Sequence, residues 1–444
     1  MFRRFYYSVK TKAIPAKNQN VYYKILSHLK EYGKISNIHG VHYLTDHRTK
    51  AEKIFWAILL LLSFLGCIFL IIQIWKKYEE SPIVITFAPK DTEIYEIPFP
   101  AITVCPESKW SETKFNYSDF FYIMANQEVV SEKEIQIANS LYILCNAFMV
   151  KDNIFASNAK FIGSEFFDTI DELKPEFEAD CLFMGQDASC SFVEIMTDQG
   201  LCYTYNLLDR KEMFREKVVH YKNWQLTHFS NFDEYYGYPS NVGLDAYPKR
   251  ALMSGADNAF EIFLTPTDND FICDEVSQGF KVLIHSPLDI PRLEKNYIQI
   301  PDGKAIIVAV EPELITTTDR VKAFDADTRG CYLKDEKPLK YFLVYTQSNC
   351  FLECVTNFTL NRCGCIDFYM PRENGTQICS GKKQGCVDSA EKEMKSKELE
   401  RKIRGLKQKQ CDCKPSCNIL KYNVETSLSD VPDRYKFGNG TTDV

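Results

Sequence analysis

The longest apolar stretch of the chain is the segment Ile54–Trp75, 22 residues without a charged side chain. A helix of that length is about 33 Å long, enough to cross a hydrocarbon core of about 30 Å. A soluble helix this long would normally carry a polar stripe, and a signal peptide would start nearer to the N-terminus. The pattern therefore predicts a transmembrane helix.

Shorter patterns predict strands and helices after this span. The segments Ser81–Ala101 and Phe280–Leu314 are rich in β-branched and aromatic residues bounded by Pro, Asp or Gly, which is typical of strands. Residues 118–150 space their apolar side chains among polar ones and indicate helices. Because strands and helices do not alternate regularly, the pattern favours an α+β fold over an α/β fold.

A charge-dense segment, Asp388–Gln410, predicts a further helix. Glu391 stands where it would close a capping box on Asp388. The apolar residues of this segment form only a thin stripe: Met394, Leu399, Ile403 and Leu406. The pattern predicts a solvated helix that lies on another element, because the heptad pattern is too short for a coiled coil.

Charge predicts the orientation of the span. Residues 1–53 carry eleven Lys and Arg against three Asp and Glu, a balance of +8, whereas residues 76–444 carry 42 basic and 57 acidic side chains, a balance of −15. Arg48, Lys50 and Lys53 directly precede the span, so the positive-inside rule places the N-terminus in the cytosol and residues 76–444 outside the cell or in a lumen. The formal net charge of −7 predicts no nucleic-acid partner.

Cysteines and glycosylation sequons agree with this orientation. Apart from Cys67 inside the span, the other sixteen cysteines all follow it, an even number that suits disulfides in an oxidising compartment. The Asn-X-Ser/Thr sequons also follow the span: Asn116, Asn357, Asn374 and Asn439. Charge, thiols and sequons together predict a glycosylated extracellular or luminal part.

Residues 331–417 contain ten of the seventeen cysteines. Their spacing places two pairs on common faces: Cys350 with Cys354 if helical, and Cys411 with Cys413 if extended. The C-x-C pairs at Cys363/Cys365 and Cys411/Cys413 would be candidate zinc ligands in a cytosolic protein. In an oxidising compartment disulfides are favoured, so the sequence predicts no metal.

Catalytic constellations are sparse, and neither an enzyme nor a cofactor is expected. The histidines beyond the span are His220, His228 and His285, and none has a two-histidine metal spacing. No nucleophile elbow or phosphate-binding Gly loop occurs. Asp325-Ala-Asp327 resembles the acidic pair by which luminal transferases hold a divalent metal, but surface carboxylates explain such a triplet more simply.

Several motifs then occur in one order along the chain. His39-Gly40 lies in SNIHG before the span, Phe99–Cys105 reads FPAITVC, Gly200–Asn206 reads GLCYTYN, and the cysteine cluster closes with CDCKPSCNILKY. Together these motifs resemble the degenerin/epithelial sodium channel family, which includes the acid-sensing channels, and most closely its pickpocket branch. The resemblance covers the chain from about Ser36 to Tyr422.

The resemblance implies a subunit of a trimeric, amiloride-sensitive, sodium-selective cation channel of the plasma membrane. The partners would be related subunits in a homo- or heterotrimer, membrane lipid, and sodium as the permeant ion. The implied fold is a transmembrane helix followed by a large, disulfide-rich β-palm ectodomain with a helical thumb. The implied parts are a cytosolic segment 1–53, the span 54–75, a palm, finger and knuckle region 76–330, the thumb 331–417, and the start of returning palm strands 418–444.

The resemblance also implies a disulfide pattern. Transferred to matching positions, it pairs Cys105–Cys202, Cys181–Cys190, Cys331–Cys417, Cys350–Cys413, Cys354–Cys411, Cys363–Cys386 and Cys365–Cys379. Cys145 and Cys273 remain, and we expect them to pair with each other. The thumb bridges are nested, which would make the thumb a stiff lever.

His39-Gly40 has two interpretations. From the residues alone it is either a turn before a membrane helix, in which Gly allows an unusual backbone angle, or a functional element. In the family the corresponding pair lines the cytosolic mouth of the pore and affects open probability, so the resemblance favours a gating role for His39 and Gly40.

One part of the family pattern is not met. After Ser81 no apolar stretch approaches the ~20 residues of a second span, so the pore helix that carries the family's Gly/Ser-x-Ser selectivity filter is not seen. The returning palm strands are also expected to be largely missing. We therefore expect a fragment or a short form, and expect residues 1–444 alone to conduct nothing. The alternative function is a non-conducting type II membrane glycoprotein that acts as a receptor or regulatory partner. The gating stimulus stays open.

Overall fold

The computed structural model consists of two compact units, Met1–Ile85 and Thr86–Val444. It describes residues 21–37, 40–45, 48–80, 85–126, 129–145, 161–188, 191–222, 229–243, 246–265, 270–273, 278–294, 296–406 and 411–431.

The described residues of the first unit form three helices: α1 (Val21–Ile35), α2 (Val41–Thr45) and α3 (Lys50–Glu80). Thr49 and Glu52 form a capping box at the start of α3, because each accepts a hydrogen bond from the backbone N–H of the other. The helix extends beyond the predicted span at both ends. Among the described residues, α3 is the one helix long and apolar enough to cross a membrane.

The second unit mixes helices and strands. Its helices are α4 (Tyr117–Ala125), α5 (Glu132–Leu144), α6 (Glu165–Leu173), α7 (Arg210–Met213), α8 (Ala326–Arg329), α9 (Gln347–Cys363) and α10 (Gly381–Ile403). Its strands are β1 (Ala101–Pro106), β2 (Ser108–Ser111), β3 (Phe161–Ile162), β4 (Ala179–Phe183), β5 (Gln186–Ala188), β6 (Val193–Thr197), β7 (Gly200–Tyr205), β8 (Val218–Val219), β9 (Phe260–Leu264), β10 (Asp270–Ile272), β11 (Phe280–His285), β12 (Ile298–Ile300), β13 (Lys304–Ile315), β14 (Arg372–Glu373), β15 (Ile378–Cys379) and β16 (Ile419–Asp430). The predicted α+β class is confirmed.

The largest sheet has the strand order β12-β11-β1-β7-β6 and is antiparallel. Its central strand β1 is buried from Ala101 to Cys105, as expected for a strand with neighbours on both sides. The Cys105–Cys202 bridge joins β1 to β7 across a Cα–Cα distance of 4.4 Å. The smaller sheets are β5-β4-β9 and the pairs β10-β2, β14-β8, β15-β3 and β13-β16.

The two strand predictions have different outcomes. The stretch Phe280–Leu314 contains β11, β12 and β13, as predicted. The stretch Ser81–Ala101 does not: residues 85–100 contain no strand, and residues 81–84 lie outside the described part. The backbone there is bound by other groups, because the Tyr422 hydroxyl donates to Pro98 O (2.8 Å) and the Asn206 side chain donates to Phe99 O (2.7 Å). The prediction of a strand was therefore wrong for residues 85–100, whereas the end of the stretch, Ala101, is the first residue of β1.

Residues 331–417, here called the thumb segment, contain α9 and α10 packed together. Thr346 caps the start of α9, and Gly364 ends it in the left-handed conformation (φ 74°). Five nested bridges close the segment: Cys331–Cys417, Cys350–Cys413, Cys354–Cys411, Cys363–Cys386 and Cys365–Cys379. Each bridge restricts the unfolded chain, by roughly 2–4 kcal/mol per bridge in the usual case.

The helix expected from Asp388 begins earlier, at Gly381, so the predicted capping box of Asp388 and Glu391 is wrong. Asp388 lies inside the helix, and the Gln384 side chain donates to it over 3.3 Å. Of the predicted stripe, Met394 is buried against the Cys354–Cys411 bridge, whereas three members are exposed: Leu399, Ile403 and Leu406. The helix therefore lies on the thumb segment with its first half and is solvated at its end.

A strand does return after the thumb segment. β16 pairs with β13 over twelve positions, from Lys304↔Asp430 to Ile315↔Ile419. The expectation that returning strands would be largely missing was therefore wrong in this respect. The sequence Ile419–Asp430 mixes polar with apolar residues because most of the strand is exposed, which weakens the alternation that identifies a strand.

Arg292 lies in the loop that follows β11 of the large sheet, and it links this loop to α10. Its guanidinium lies 3.2 Å from Glu391 and 3.2 Å from Glu294, with 3% of the arginine side chain and 12% of the Glu391 side chain exposed. We predict that Glu391→Gln lowers the free energy of unfolding by about 3 kcal/mol, at the lower end of the cost of breaking a buried pair, because Glu294 still faces Arg292. Thermal or denaturant unfolding of the purified chain measures this loss.

Glu393→Gln is the matched control on the same helix. Glu393 pairs with Arg362 and Lys397 but its side chain is 35% exposed, so its loss is expected to stay below about 1 kcal/mol. Although burial opposes ionisation of Glu391, Arg292 and Lys395 hold its pKa below the usual value. Its contribution is therefore present above the unfolded pKa and lost as the pH falls through the folded one. Equal losses for the two variants at neutral pH would contradict the prediction.

Candidate gating elements

Gly40 occupies a constrained position in the first unit. It is buried and has φ = +91°, a backbone conformation that side chains with a Cβ rarely adopt. A Cβ added to it would lie 3.1 Å from Leu60 Cδ2 and 3.6 Å from the Trp56 ring. The backbone angle therefore favours glycine, and a Cβ would in addition require Leu60 to move by a few tenths of an ångström. His39, the other residue of the predicted gating pair, lies outside the described residues.

Aromatic stacking holds the same segment against α3. The Tyr43 ring of α2 stacks on the Trp56 ring, with centroids 4.4 Å apart and planes at 18°. The Arg48 guanidinium lies 5.6 Å from the centre of the Tyr43 ring, within the range of a cation–π contact. The segment before the span thus folds back along the first turns of α3.

This contact lies inside the apolar stretch. Leu60 is six residues beyond Ile54, which is about 9 Å along a helix. Within α3, Lys53, Trp56 and Leu60 are partly covered, whereas the other positions from Lys50 to Glu79 are exposed. The segment around Gly40 therefore covers one stripe of the span, and the remaining faces are free to contact lipid or other helices.

Lys414 ties together the base of the thumb segment. It is 7% exposed, and its Nζ lies 2.9 Å from Asp327, 2.9 Å from Asp412 and 3.1 Å from the Tyr332 hydroxyl. Burial opposes its charge, but these partners raise the pKa of Lys414 well above its usual value. Tyr332 and Lys414 each lie close to a bridge cysteine, so the network fixes both ends of the segment.

The same network accounts for the acidic triplet. Asp325 caps α8, because its side chain accepts hydrogen bonds from the backbone N–H groups of Asp327 (3.0 Å) and Thr328 (2.9 Å). Asp327 pairs with Lys414. Within the part of the chain that the structure describes, no group of His, Cys, Asp and Glu side chains is arranged to hold a metal ion.

A turn at residues 233–237 contacts Lys334 near the start of the thumb segment and Asn418 directly after its end. Asp233 pairs with Lys334 Nζ (2.6 Å), the Tyr235 hydroxyl accepts from Lys334 N (2.6 Å), and the Asn418 side chain donates to Glu234 O (3.4 Å). Sequence reasoning missed this turn. The sequence around Asp233 is rich in aromatic residues, but they follow neither the helical nor the strand period, so no element was predicted there.

Burial shifts the pKa values of two histidines and one glutamate of the second unit. Burial lowers the pKa of His220 to about 3 and that of His285 to about 4, so both imidazoles are neutral throughout the physiological range. His228 lies outside the described residues. Burial, with Asp289 and Asp233 nearby, raises the pKa of Glu234 to about 8.

The cysteines occupy the positions that the resemblance implied. Besides Cys105–Cys202 and the thumb bridges, Cys145 is bonded to Cys273 with a Cα–Cα distance of 5.3 Å. Cys181 is in a disulfide, and its expected partner Cys190 lies outside the described residues. Cys67 is a free, exposed thiol in α3.

The predicted glycosylation positions differ in exposure. Asn374 is exposed in the turn that Gly375 (φ = +88°) closes. Asn116 is half-buried and caps α4, where its Oδ1 accepts from Asp119 N over 3.0 Å. Asn357 is half-buried on α9, and its Thr359 is fully buried. Asn439 lies outside the described residues.

Comparison with known proteins agrees with the motif order. A family model described as Amiloride-sensitive sodium channel matches residues 32–442. Pickpocket protein 28 of Drosophila melanogaster is 25% identical, over 92% of this chain and 66% of that protein. Pickpocket protein 11 of Drosophila melanogaster is 23% identical, over 89% of this chain and 60% of that protein. Acid-sensing ion channel 1C of Danio rerio is 22% identical, over 92% of this chain and 69% of that protein.

The chain thus spans less than two thirds of the length of the two pickpocket proteins. The matched region nevertheless includes the segment around Gly40, α3, the large sheet and the whole thumb segment. Members of the matched family are ion channels, not enzymes. The chain belongs to the amiloride-sensitive sodium channel family.

Proposed function

We propose that this chain is a subunit of a trimeric, amiloride-sensitive, sodium-selective cation channel of the plasma membrane, gated through its extracellular part. The observation that carries the proposal is the family match over residues 32–442, which includes both the segment before the span and the disulfide-bonded unit. Related subunits, identical or different, supply the other two positions of the trimer. Sodium is the ion that permeates the complete channel.

The proposed topology places residues 1–53 in the cytosol and the second unit outside the cell. The charge step across the span supports it, since eleven Lys and Arg precede the apolar stretch. The disulfides support it as well, because bridges persist in oxidising compartments. The exposed turn at Asn374 offers an accessible glycan acceptor on the same side.

We propose that gating uses a stiff thumb segment and the glycine before the span. The bridges keep α9 and α10 from moving independently, so a ligand or force acting on them moves the segment as a body. Lys414 and the turn at 233–237 hold its base, which is where that motion would be passed on. Gly40 and His39 act at the cytosolic end, where the folded-back segment covers part of α3.

Conduction needs a ring of close-set oxygens around the ion path. The described residues contain one helix suited to span the membrane.

The channel assignment is tested by expressing residues 1–444 with and without a conducting subunit of the same family. We expect no amiloride-sensitive sodium current from the chain alone, and a mixed surface trimer with altered current amplitude on co-expression. Surface cross-linking gives the stoichiometry, and whole-cell recording gives the current. A chain that reaches the surface as a monomer and leaves the partner's current unchanged would favour the receptor-like glycoprotein instead.

Gly40→Ser is predicted to reduce the current of the mixed channel by about tenfold without reducing the surface trimer. The serine meets a backbone angle that costs about 1–2 kcal/mol for residues with a Cβ, and it also meets Leu60, so the folded-back conformation is disfavoured. The current is normalised to the biotinylated surface trimer.

Gly66→Ser is the matched control for this substitution. Gly66 lies in the same helix as Leu60, but a Cβ there would meet no atom within 4 Å. We expect its current per surface trimer to equal that of the unchanged chain. A similar loss in both variants would mean that any serine in this unit impairs the channel, and the gating role of Gly40 would be rejected.

The topology is tested through Asn374. In intact cells, Asn374→Gln should remove one glycan, seen as one step in mobility that disappears on enzymatic deglycosylation, because Asn374 is exposed in a turn. Asn423, an exposed asparagine of β16 outside any sequon, is the control, and Asn423→Gln should cause no such step. A chain that carries no glycan at all would contradict the extracellular placement.

A further inference from the structure

A small cavity lies beside the end of the central strand of the large sheet. Its walls include Phe177 and Tyr203, whose rings are stacked with centroids 3.8 Å apart and planes at 6°. Leu201 and Phe280 add further apolar surface. Lys109 of β2 also lines the cavity, so an amine-bearing side chain stands beside apolar and aromatic walls.

The entrance of the cavity lies at Glu176 and Thr265, which line it and are exposed to solvent. Glu176 places a negative charge at this entrance, which disfavours an anionic ligand. Thr265 directly follows β9, and its backbone N–H donates to Glu178 O over 3.3 Å. The cavity is therefore suited to a small neutral molecule that arrives from the solvent.

The amine of Lys109 is held by the backbone of β1. Its Nζ donates to the carbonyl oxygen of Pro106, the last residue of that strand, over 2.8 Å. Among the described residues, no carboxylate forms an ion pair with Lys109. Glu107 pairs instead with Lys281 over 3.2 Å, and these two side chains are only 5% and 14% exposed. The acid closest to Lys109 in the sequence is thus engaged by another lysine.

These surroundings disfavour the ammonium form of Lys109. Burial lowers the pKa of Lys109 to about 8, and Lys281 acts in the same direction against Glu107 and Asp198. At pH 8 about half of the amine is therefore neutral, against about 0.3% for a lysine with the ordinary pKa of 10.5. A neutral lysine amine is a nucleophile, and proteins activate it by desolvation and by a neighbouring cation.

We propose that Lys109 binds small apolar aldehydes covalently, as an imine inside this cavity. An aldehyde suits the site because it is neutral, as the acidic entrance favours, and because it reacts with an amine without a further reactant. The walls formed by Phe177, Tyr203 and Leu201 receive its apolar chain and remove it from water.

The reaction is a reversible condensation. The lone pair of Lys109 Nζ forms a bond to the carbonyl carbon, and the π electrons of the carbonyl group move to its oxygen. Two protons from the amine leave with that oxygen as water, and a C=N double bond remains. No oxidant or reductant is needed, and hydrolysis returns the amine and the aldehyde.

Reductive trapping tests this reaction on the full chain purified in detergent. The chain is incubated at pH 8 with butanal and sodium cyanoborohydride, which reduces each imine to a stable amine. Peptide mapping by mass spectrometry then gives the modified fraction of each lysine. We expect Lys109 to be modified at least about tenfold faster than the exposed Lys217, because more of its amine is neutral. In guanidinium chloride, which unfolds the chain, this preference should vanish.

Lys249 is the matched internal control. It is also partly buried, its Nζ lies 5.3 Å from the centre of the Tyr205 ring, and burial lowers its pKa, but it stands outside the lining of the cavity. We expect Lys249 to be modified about tenfold more slowly than Lys109, because no cavity holds the aldehyde beside it. Equal modification of the two lysines would mean that desolvation alone suffices, and the cavity would have no role.

Thr265→Trp narrows the entrance without touching the interior, since Thr265 is exposed. We expect it to slow the modification of Lys109 by about tenfold and to leave Lys249 unchanged, because the aldehyde is no longer held beside the amine. Glu261→Trp, an exposed position of β9 outside the lining, is the control and should change neither lysine.

Two results would overturn the proposal. One is an unchanged chain in which Lys109 reacts no faster than Lys217, a comparison that does not depend on the folding of any variant. The other is a folded Thr265→Trp chain in which Lys109 keeps its full rate. None of these measurements involves current, so the channel proposal and the aldehyde site can fail separately.

Discussion

The closure of the thumb segment by nested disulfides is the constraint on which the larger unit depends. The outermost bridge, Cys331–Cys417, holds the two ends of that segment with their Cα atoms 5.0 Å apart. β13 ends at Ile315, before α8 and the segment, and β16 begins two residues after the segment. Ile315 pairs with Ile419, so the chain returns beside the end of β13 and the long β13–β16 ladder starts there. Because five bridges follow one another inward, α9 and α10 cannot separate without breaking covalent bonds. A movement of the segment must therefore be taken up at its base, where Lys414 is buried among its acidic partners.

Charges inside the unit follow a second constraint, because each buried ionic group needs a counter-charge. Arg292, Arg329 and Lys414 meet it with carboxylates that lie far away in the sequence or across a turn. These pairs join elements: Glu391 joins α10 to the loop that contains Arg292, and Asp327 joins α8 to the end of the thumb segment. They therefore determine how the elements are placed more than they add stability. Arg372 stands apart because it is buried and no carboxylate of the described residues forms an ion pair with it.

The parts of this fold that the sequence predicts are those determined by local pattern. The span is an unbroken apolar run, the strands from Phe280 to Leu314 alternate between turns, and the motif order leads to the bridges through the resemblance. The errors concern positions whose state depends on distant partners. Residues 85–100 resemble strands, but Tyr422 and Asn206 bind their backbone instead of a neighbouring strand. Glu391 fits a capping pattern, yet Arg292, 99 residues earlier in the chain, determines its role. Gly40 was identifiable from its motif, but its contact with Leu60 depends on the segment that folds back along α3. No sequence pattern predicted the turn at 233–237 or the burial of Arg372.

Similarity to acid-sensing channels does not by itself give this chain their stimulus, and the shifted pKa values of its buried groups show only in which direction each group responds to pH. His220 and His285 stay neutral down to about pH 4, because burial depresses the pKa of each. Burial together with Asp289 and Asp233 raises the pKa of Glu234 to about 8, against the weaker opposing effect of Lys334. A carboxyl whose folded pKa is raised favours the folded contact when protonated, so its stabilising effect is present at low pH and is lost as the pH rises through about 8. Ionisation of the Glu234 carboxyl is therefore expected to destabilise the turn at 233–237 as the pH rises. Asp367, buried in the thumb segment with its pKa raised by burial to about 7, changes in the same direction. Any pH effect exerted through these two carboxyls would thus weaken the base and the interior of the stiff segment as the solution becomes more alkaline.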